Sequence, residues 1–510
     1  MATQNNGDHM TTRDDHIDLI RDLAAADARK ELDPNWTLSR RGFIKSGIAA
    51  AAAVAMPYSV LGSGQARAEN IPFSPDYGPL SPVFDEATGL PLLNLPEGFK
   101  YWSYGWTGDI MDDGIPTPSN HDGMAVVAVN NGRYVLVRNH EKGGVTGSFA
   151  APELTYDPAC DGGTTNLIFA PNSRGNKWAS SRASISGTIR NCAGGPTPWN
   201  SWISCEETTN GLHTNPAYTK QHGYCFDVPA VGEAKPIALV DMGCFSHEAV
   251  AVDPATGIIY ETEDSTPSGF YRFIPNVPGK PAMGGKLQMM KLVVAPNATR
   301  TINGVSYPYY DTGVAQPAGA TWDVEWVDIE EPNKPFITGT TYGGVVSQGI
   351  MQGAASLRRG EGVWYGNGII YVCSTSGGVA GRGQIFAYDP VNETFSLVYE
   401  SADRNVLDNP DNIAWSPRGS LILCEDGSNA VSRMHGLTID GKIFPFCENN
   451  MDFRAEGMGS ISRNGVTYDR NQRGAEFAGA TFQDGWLFVN IQANPGITFA
   501  ITGPWSNGAL

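Results

Sequence analysis

The sequence predicts an all-β fold, a β-propeller of about six blades, and three observations lead to this prediction. First, 60 Gly and 34 Pro among 510 residues punctuate short apolar runs, as turns punctuate strands. Second, long amphipathic helical patterns are scarce after residue 69. Third, a turn, an apolar strand and an abrupt polar cluster recur roughly every 50 to 70 residues, which is the period of propeller blades.

The recurring unit is clearest at residues 253–264, where a turn leads into Ile258-Ile259-Tyr260 and then into Glu261-Thr262-Glu263-Asp264. Gly368-Ile369-Ile370-Tyr371 repeats it, and residues 416–427 and 484–490 supply further copies. The innermost strand of each blade lines the channel of a propeller, so polar clusters that end this strand would converge on one axial site. Such clusters also occur as solvated turns, but their recurrence at equivalent positions favours a shared metal site.

The N-terminal region predicts export. Arg40-Arg41 precedes an apolar stretch at residues 47–56 and then Ala66-Arg67-Ala68, which together form a twin-arginine signal with a cleavage site. A membrane anchor would need about 20 apolar residues, and this stretch is about half as long. We expect residues 1–68 to be removed with the signal, after passage through the twin-arginine translocation machinery. Residues 69–510 then form a single propeller domain in the periplasm or outside the cell.

The charge excludes several partners. Residues 1–68 carry 8 Lys+Arg and 8 Asp+Glu, so the formal net charge of −18 belongs to residues 69–510. Such a surface repels nucleic acid and anionic membrane. It also repels phosphate esters, so a protein that binds them needs metal ions or arginines at the site. After residue 69 no apolar stretch reaches about 18 residues, which argues against stable membrane insertion.

Other motifs are uninformative or missing from the sequence. The eight cysteines show neither a CxxC pair nor a zinc-type spacing, and their disulfide pairing stays open. The glycine-rich residues 377–383 lack the pattern of a nucleotide-binding loop. A GxSxG nucleophile elbow is also missing, which removes the usual signal of a serine esterase.

Several segments, ordered along residues 98–505, resemble the PhoX family of alkaline phosphatases. They are His121-Asp122-Gly123-Met124, Arg138-Asn139-His140-Glu141, residues 194–207, Phe245-Ser246-His247-Glu248-Ala249, residues 261–273, Pro410-Asp411-Asn412, residues 487–492 and Thr502-Gly503-Pro504-Trp505. The resemblance implies a propeller with an axial centre of Fe³⁺ and Ca²⁺ that hydrolyses small phosphomonoesters and releases inorganic phosphate.

The resemblance also implies site residues. Arg359 would hold phosphate, Cys205 would bind iron through its thiolate, and Glu361 would bind metal; these three are the catalytic candidates. The metal candidates are Cys205, Glu248, Glu361, Glu207, Glu141, Asp411 and Asp426. Hard carboxylate oxygens suit Ca²⁺ and Fe³⁺, whereas a thiolate tunes an iron. The chain departs from the family at Gly360, where the family has proline.

Two expectations accompany this assignment. We expect His140 and His247 to position the adjacent Glu141 and Glu248. Other functions also remain open on the same scaffold, because a fold does not fix a function. They are a phosphodiesterase, a calcium-dependent lactonase and a non-enzymatic, calcium-stabilised propeller that binds a partner.

Overall fold

The computed structural model describes residues 73–335 and 342–510, and this part of the chain is nearly all β-structure. The proposed signal, residues 1–68, lies outside the described residues. Helical structure in the described part comprises one α-helix and four short 3-10 helices. They are α1 (Val345–Met351) and the 3-10 helices Pro152–Leu154, Val240–Met242, Pro281–Met283 and Trp505–Asn507. None of the described helices is long and apolar enough to cross a membrane.

The described residues contain thirty strands. They are β1 (Ser81–Val83), β2 (Leu93–Leu95), β3 (Lys100–Tyr104), β4 (His121–Asn130), β5 (Arg133–His140), β6 (Gly162–Phe169), β7 (Trp178–Thr188), β8 (Asn191–Pro196), β9 (Ser201–Glu206), β10 (Cys225–Pro229), β11 (His247–Val252), β12 (Ile259–Glu263), β13 (Phe270–Pro275), β14 (Gly285–Leu292), β15 (Ala298–Ile302), β16 (Val305–Tyr309), β17 (Thr321–Asp328), β18 (Gly360–Gly366), β19 (Ile369–Ser374), β20 (Gln384–Asp389), β21 (Thr394–Glu400), β22 (Pro410–Trp415), β23 (Ser420–Glu425), β24 (Arg433–Thr438), β25 (Ile443–Asn449), β26 (Ile461–Arg463), β27 (Val466–Tyr468), β28 (Phe477–Gln483), β29 (Trp486–Ile491) and β30 (Ile497–Thr502).

The strands form antiparallel meanders arranged as in a propeller. The sheets have the orders β4-β5-β6-β7, β8-β9-β10, β11-β12-β13-β14-β17-β21-β20-β19-β18, β22-β23-β24-β25-β2-β1 and β28-β29-β30-β3, with β15-β16 and β26-β27 as separate hairpins. The nine-stranded sheet joins two meanders through the pairing of β17 with β21. The prediction of an all-β propeller is confirmed.

Tight turns define many of these hairpins. Five two-residue loops place both of their residues at positive φ, as a type I′ turn requires. Asn or Asp occupies the first position and Gly the second, because these residues adopt the left-handed region at the lowest cost. The loops are Asn131-Gly132, Asn303-Gly304, Asn367-Gly368, Asn464-Gly465 and Asp484-Gly485.

Six first strands close a ring around the channel. β4 packs beside β8, β8 beside β11, β11 beside β18, β18 beside β22, β22 beside β28, and β28 beside β4. Small residues allow this close approach. A Cβ on Gly123 would lie 2.6 Å from the Cα of Ala193, and one on Gly362 would lie 2.4 Å from the backbone oxygen of Asp411. The backbones of neighbouring inner strands therefore lie almost in contact.

Aromatic side chains fill the space between neighbouring sheets. Phe169 lies edge-on to Trp486, with ring centroids 4.8 Å apart, and to Phe488 at 4.9 Å. Each such buried side chain contributes about 1.5–3 kcal/mol through removal of apolar surface from water. The ring is closed by the two ends of the described chain, because β3 supplies the fourth strand of the last sheet, with Tyr101 opposite Ile501.

Candidate metal centre

Five inner strands carry a potential metal ligand at their second residue. In each strand the pairing with its neighbour is interrupted after the first residue and resumes three residues later, which leaves the second residue in a β-bulge. Bulges re-aim side chains and often occur next to functional sites. The five residues are Asp122, Cys192, Glu248, Glu361 and Asp411.

A second layer of polar residues follows the second strand of each meander. The backbone N–H of Glu141 donates to the carbonyl oxygen of Asn120, just before β4, at 2.9 Å. Glu207, Asp264 and Asp426 occupy the equivalent place after β9, β12 and β23, and their N–H groups make the same hydrogen bond at 2.8–3.0 Å. The shared bond brings the end of each second strand to the start of its inner strand.

Two sets of ligand atoms adjoin at this end of the ring. The atoms of Cys192, Glu207 and Glu248 lie within 4.8 Å of one another, and so do those of Glu248, Glu361 and Asp411. Glu248 belongs to both sets, so two cations bound there would be neighbours. Of the metal candidates predicted from the sequence, the structure brings Glu207, Glu248, Glu361 and Asp411 into these sets.

Burial and crowding perturb the carboxylates strongly. Burial, and then the negative charge of neighbouring carboxylates, raises the pKa of Asp122, Glu248 and Glu361 well above the usual range. The same causes raise the pKa of Asp411 to about 6. Burial, and then contact with neighbouring carboxyl groups, raises the pKa of Glu207 to about 8 in spite of Arg190. Like charges this close disfavour ionisation unless protons or cations separate them.

Two arginines with unusual backbone conformations face this cluster. Arg190 and Arg359 immediately precede β8 and β18, with φ of 50° and 52°, a region that non-glycine residues rarely adopt. Such conformations often occur at functional sites, where the surrounding structure compensates for the strain. The arginines are therefore held at equivalent positions on two inner strands.

Each arginine is oriented by carboxylates. Nε of Arg359 donates to Asp264 Oδ1 at 2.9 Å, and Nη2 donates to Asp264 Oδ2 at 3.2 Å and to Glu361 Oε1 at 2.7 Å. Nε of Arg190 lies 3.2 Å from Glu141 Oε1, and its Nη2 also contacts Glu207. The side chains are 36% and 44% exposed, respectively, so the guanidinium groups lie between the carboxylates and solvent.

The donor set fits metal binding. The carboxyl groups that gather here are Asp122, Glu141, Glu207, Glu248, Asp264, Glu361, Asp411, Asp426 and Glu476, together with the thiol of Cys192. The two guanidinium groups compensate only part of this charge. Hard oxygens with one soft sulfur are ligands for Ca²⁺ and for iron, and bound cations would offset the remaining repulsion.

Cys205, predicted as the iron ligand, does not lie at this cluster. It is on β9, a second strand, and its side chain packs in a hydrophobic core with Ile203 and Cys225. Glu207 lies beyond Glu206, the last residue of β9, and contacts Arg190, whereas the thiol of Cys205 lies 3.5 Å from the thiol of Cys225. The cysteine beside Glu207 and Glu248 is Cys192.

The remaining predictions on this site had mixed outcomes. Glu141 and Asp426 lie in the second layer, where Glu141 contacts Arg190 and the charge of Asp426 acts on Glu476. The histidines have other partners than their neighbouring glutamates. His140 bonds through Nδ1 to the oxygen of Ser119 at 3.0 Å and through Nε2 to the hydroxyl of Thr165 at 2.9 Å.

Sequence reasoning missed Asp122, Cys192, Asp264, Glu476 and Arg190. It assumed that the polar clusters end the innermost strands, whereas in the structure they end the second strands. A signal for the missing residues existed in the preceding strand of each meander. A ligand followed by a small or polar residue recurs in Asp122-Gly123, Cys192-Ala193, Glu248-Ala249, Glu361-Gly362 and Asp411-Asn412.

The fold and the carboxylate-rich cluster define a β-propeller protein with a candidate metal site at the end of its channel. The sequence model described as Alkaline phosphatase PhoX matches residues 75–496. The chain therefore belongs to the PhoX alkaline phosphatase family, which is metal-dependent, and the predicted family membership and enzyme class are confirmed. No curated protein sequence matches the chain.

One solved structure supports the fold. PhoX of Pseudomonas fluorescens, in complex with vanadate, a transition state analogue, has a TM-score of 0.57 and 15% identity over 87% of this chain and 99% of that chain. A catalytically inactive virginiamycin B lyase of Staphylococcus aureus with quinupristin has a TM-score of 0.38 and 11% identity over 79% of this chain and 99% of that chain.

Proposed function

We propose that this protein is an exported phosphatase that hydrolyses small phosphomonoesters at a centre of Fe³⁺ and Ca²⁺ and releases inorganic phosphate. The observation that carries the proposal is Arg359, which lies beside the two ligand sets and is held by Asp264 and Glu361. Its hydrogen bonds use Nε and Nη2 and leave Nη1 for a ligand. Arginine suits phosphate because its planar fork meets two oxygens together.

The two ligand sets differ in character. Cys192, Glu207 and Glu248 combine a thiol with carboxylates, which suits Fe³⁺, whereas Glu248, Glu361 and Asp411 offer only oxygen, which suits Ca²⁺. Bound cations would polarise phosphoryl oxygens and supply an oxygen nucleophile, so the proposal requires no nucleophile from the protein. This chain's residues hold the cations, and Arg359 orients the ester above them.

The charge distribution supports selective binding at this place. The net charge of −18 disfavours the approach of phosphate esters elsewhere on the surface. Arg190 and Arg359 both lie partly exposed next to the ligand sets, so positive charge is present where the ester would bind. The raised pKa values of the carboxylates mean that protons compete with cations. Cation binding, and with it activity, should therefore strengthen at alkaline pH.

Export is the second part of the proposal. Residues 1–68 carry the twin-arginine pattern, and the machinery that reads it translocates folded proteins. A protein that acquires metals while folding suits this route. Replacing Arg40 and Arg41 with lysine should retain the protein in the cytoplasm, as measured by immunoblotting of periplasmic and cytoplasmic fractions. Equal periplasmic amounts of both proteins would contradict it.

The activity is tested by measuring phosphate released from an aryl phosphomonoester, with the matching diester as the comparison. Protein produced in its native host should contain iron and calcium by elemental analysis, and a calcium chelator should abolish turnover until Ca²⁺ is returned. Full activity in the chelator would refute the metal requirement. Faster cleavage of the diester would favour the phosphodiesterase alternative.

A further inference from the structure

A second group of metal-binding side chains lies away from the channel, in the core between β9–β10 and β11–β12. It consists of Cys205, Cys225, His247 and Glu261, all of which are 0% exposed. His247 adjoins Glu248 on β11, but its ring contacts Cys225 and Phe245, whereas the carboxylate of Glu248 belongs to the axial sets. The group is therefore separate from the centre described above.

Three of these side chains, Cys225, His247 and Glu261, are close enough to share one cation, and Cys205 lies directly beside Cys225. Sγ of Cys225 lies 3.5 Å from Sγ of Cys205 and 3.4 Å from Nδ1 of His247. Nδ1 of His247 lies 3.3 Å from Oε2 of Glu261. The ligand atoms of Cys225, His247 and Glu261 all lie within 4.8 Å of one another.

His247 presents a lone pair to this group. Its Nε2 lies 3.1 Å from the carbonyl oxygen of Gly243, which can only accept, so Nε2 carries the hydrogen. With its hydrogen on Nε2, a neutral ring turns the unprotonated Nδ1 toward Cys225 and Glu261. A carbonyl that fixes one ring nitrogen while the other faces a cation is the common arrangement of metal-bound histidines. Phe245 stacks on the ring at 3.6 Å and fixes its plane.

Glu261 has no hydrogen-bond partner at either carboxylate oxygen, although both are buried. Glu263, two residues along β12, shows the ordinary alternative: its Oε2 accepts hydrogen bonds from Tyr271 at 2.5 Å and from the N–H of Gly269 at 3.0 Å. A buried carboxylate is costly unless it is paired or binds a metal. Next to a lone pair on His247, the carboxylate of Glu261 is well placed to bind a cation between them.

We propose that Cys205, Cys225, His247 and Glu261 bind a divalent transition-metal ion of the zinc class as a structural site. Two thiolates, one imidazole and one carboxylate are ligands that such ions take in closed, four-coordinate sites. The three negative ligands leave a charge of −1 around a divalent ion, as in sites with three cysteines and one histidine. The apolar surroundings, with Leu239, Met242 and Met289, exclude a reacting ligand.

A disulfide explains less of the structure than a cation does. Cys205 and Cys225 lie opposite each other on β9 and β10, so a disulfide would account for the two thiols. It would leave Glu261 unpaired beside the lone pair of His247. A cation satisfies all four side chains together. The inference does not use the proposed phosphatase activity, and either can fail without the other.

Metal content of the full-length protein tests the proposal. Wild-type protein and the Cys447→Ser control, which alters a buried cysteine elsewhere, should contain one equivalent of zinc-class metal that Cys225→Ser and Glu261→Gln lack. Protein loaded with Co²⁺ should show a thiolate-to-cobalt absorption band that persists in Cys192→Ser and disappears in Cys225→Ser. Equal metal content in all variants, or a band lost only in Cys192→Ser, would overturn the proposal.

Two further measurements decide the case even if the cysteine variants fold poorly. Glu261→Gln should lower the melting temperature of a metal-bound protein, but would raise it if the site were empty, because the amide removes an unpaired buried charge. Denatured wild-type protein should release eight reactive thiols without reductant. Six reactive thiols in the wild type but seven in Cys225→Ser would show that Cys225 forms a disulfide and would refute the metal site.

Discussion

Arg359→Ala tests most directly whether the arginine that precedes β18 binds phosphate. The substitution removes the Nη1 donors that the contacts with Asp264 and Glu361 leave for a ligand. Two charge-assisted hydrogen bonds are worth about 1.5 kcal/mol each at the low end, or about 3 kcal/mol together. At about 1.4 kcal/mol per tenfold change, kcat/KM should fall by about a hundredfold or more.

Arg358 is a matched control for this experiment. It is the preceding residue, its side chain is equally exposed at 36%, and its Nη2 lies 2.7 Å from Asp311 Oδ2. Arg358→Ala should leave kcat/KM near the wild-type value, and Arg359→Lys, which keeps the charge without the fork, should give an intermediate value. The melting temperature of each variant is measured as well, because Asp311 and Glu361 are largely buried and the loss of their ion pairs lowers stability. Equal kcat/KM values for Arg358→Ala and Arg359→Ala would refute the reasoning.

Three other predictions concern the metal centre and the ring. Cys192→Ser should remove iron and lower turnover at least a hundredfold. Cys205→Ser should retain the iron. If elemental analysis shows iron lost from Cys205→Ser and kept in Cys192→Ser, Cys192 is not the iron ligand. Metal-free protein should lose stability as pH rises from about 4.5 to 8, because the raised pKa of Glu207 makes the folded state bind more protons there. With calcium and iron bound, the melting temperature should fall less over this pH range. An equally steep fall with and without the metals would argue against cation binding. Gly362→Ala should lower the free energy of unfolding by about 1–3 kcal/mol, because the added methyl forces inner strands apart. The control in the same denaturation experiment is Gly474→Ala, where the nearest atom to the added Cβ lies at 3.4 Å.

The sequence was sufficient to predict the fold because local chemistry dictates the hairpins. Asn367-Gly368 and Asp484-Gly485 specify tight turns, and the apolar runs beside them can only be strands. The period of these units predicted a propeller. The pairing of β17 with β21, which merges two meanders, has no local signal because it depends on long-range contacts.

The site was predicted less completely, for a geometric reason. Glu248, Glu361 and Asp411 were found through the family resemblance, and all three lie in the ligand sets. Cys205 was predicted because an acidic pair follows it and because it lies in the family motif, and Cys192 was not considered as an alternative. The choice between these thiols depends on strand position and on the β-bulge after Asn191, neither of which is visible in spacing alone.

The pairing of β3 with β30 has a consequence for how the centre is made. A ribosome synthesises all five ligand-bearing inner strands, up to Asp411, well before it reaches residues 497–502. The ring of sheets is complete only when β30 pairs with β3. A cation captured earlier would occupy an open arc, from which it could escape to solvent. Durable loading of the proposed centre would therefore follow completion of the polypeptide.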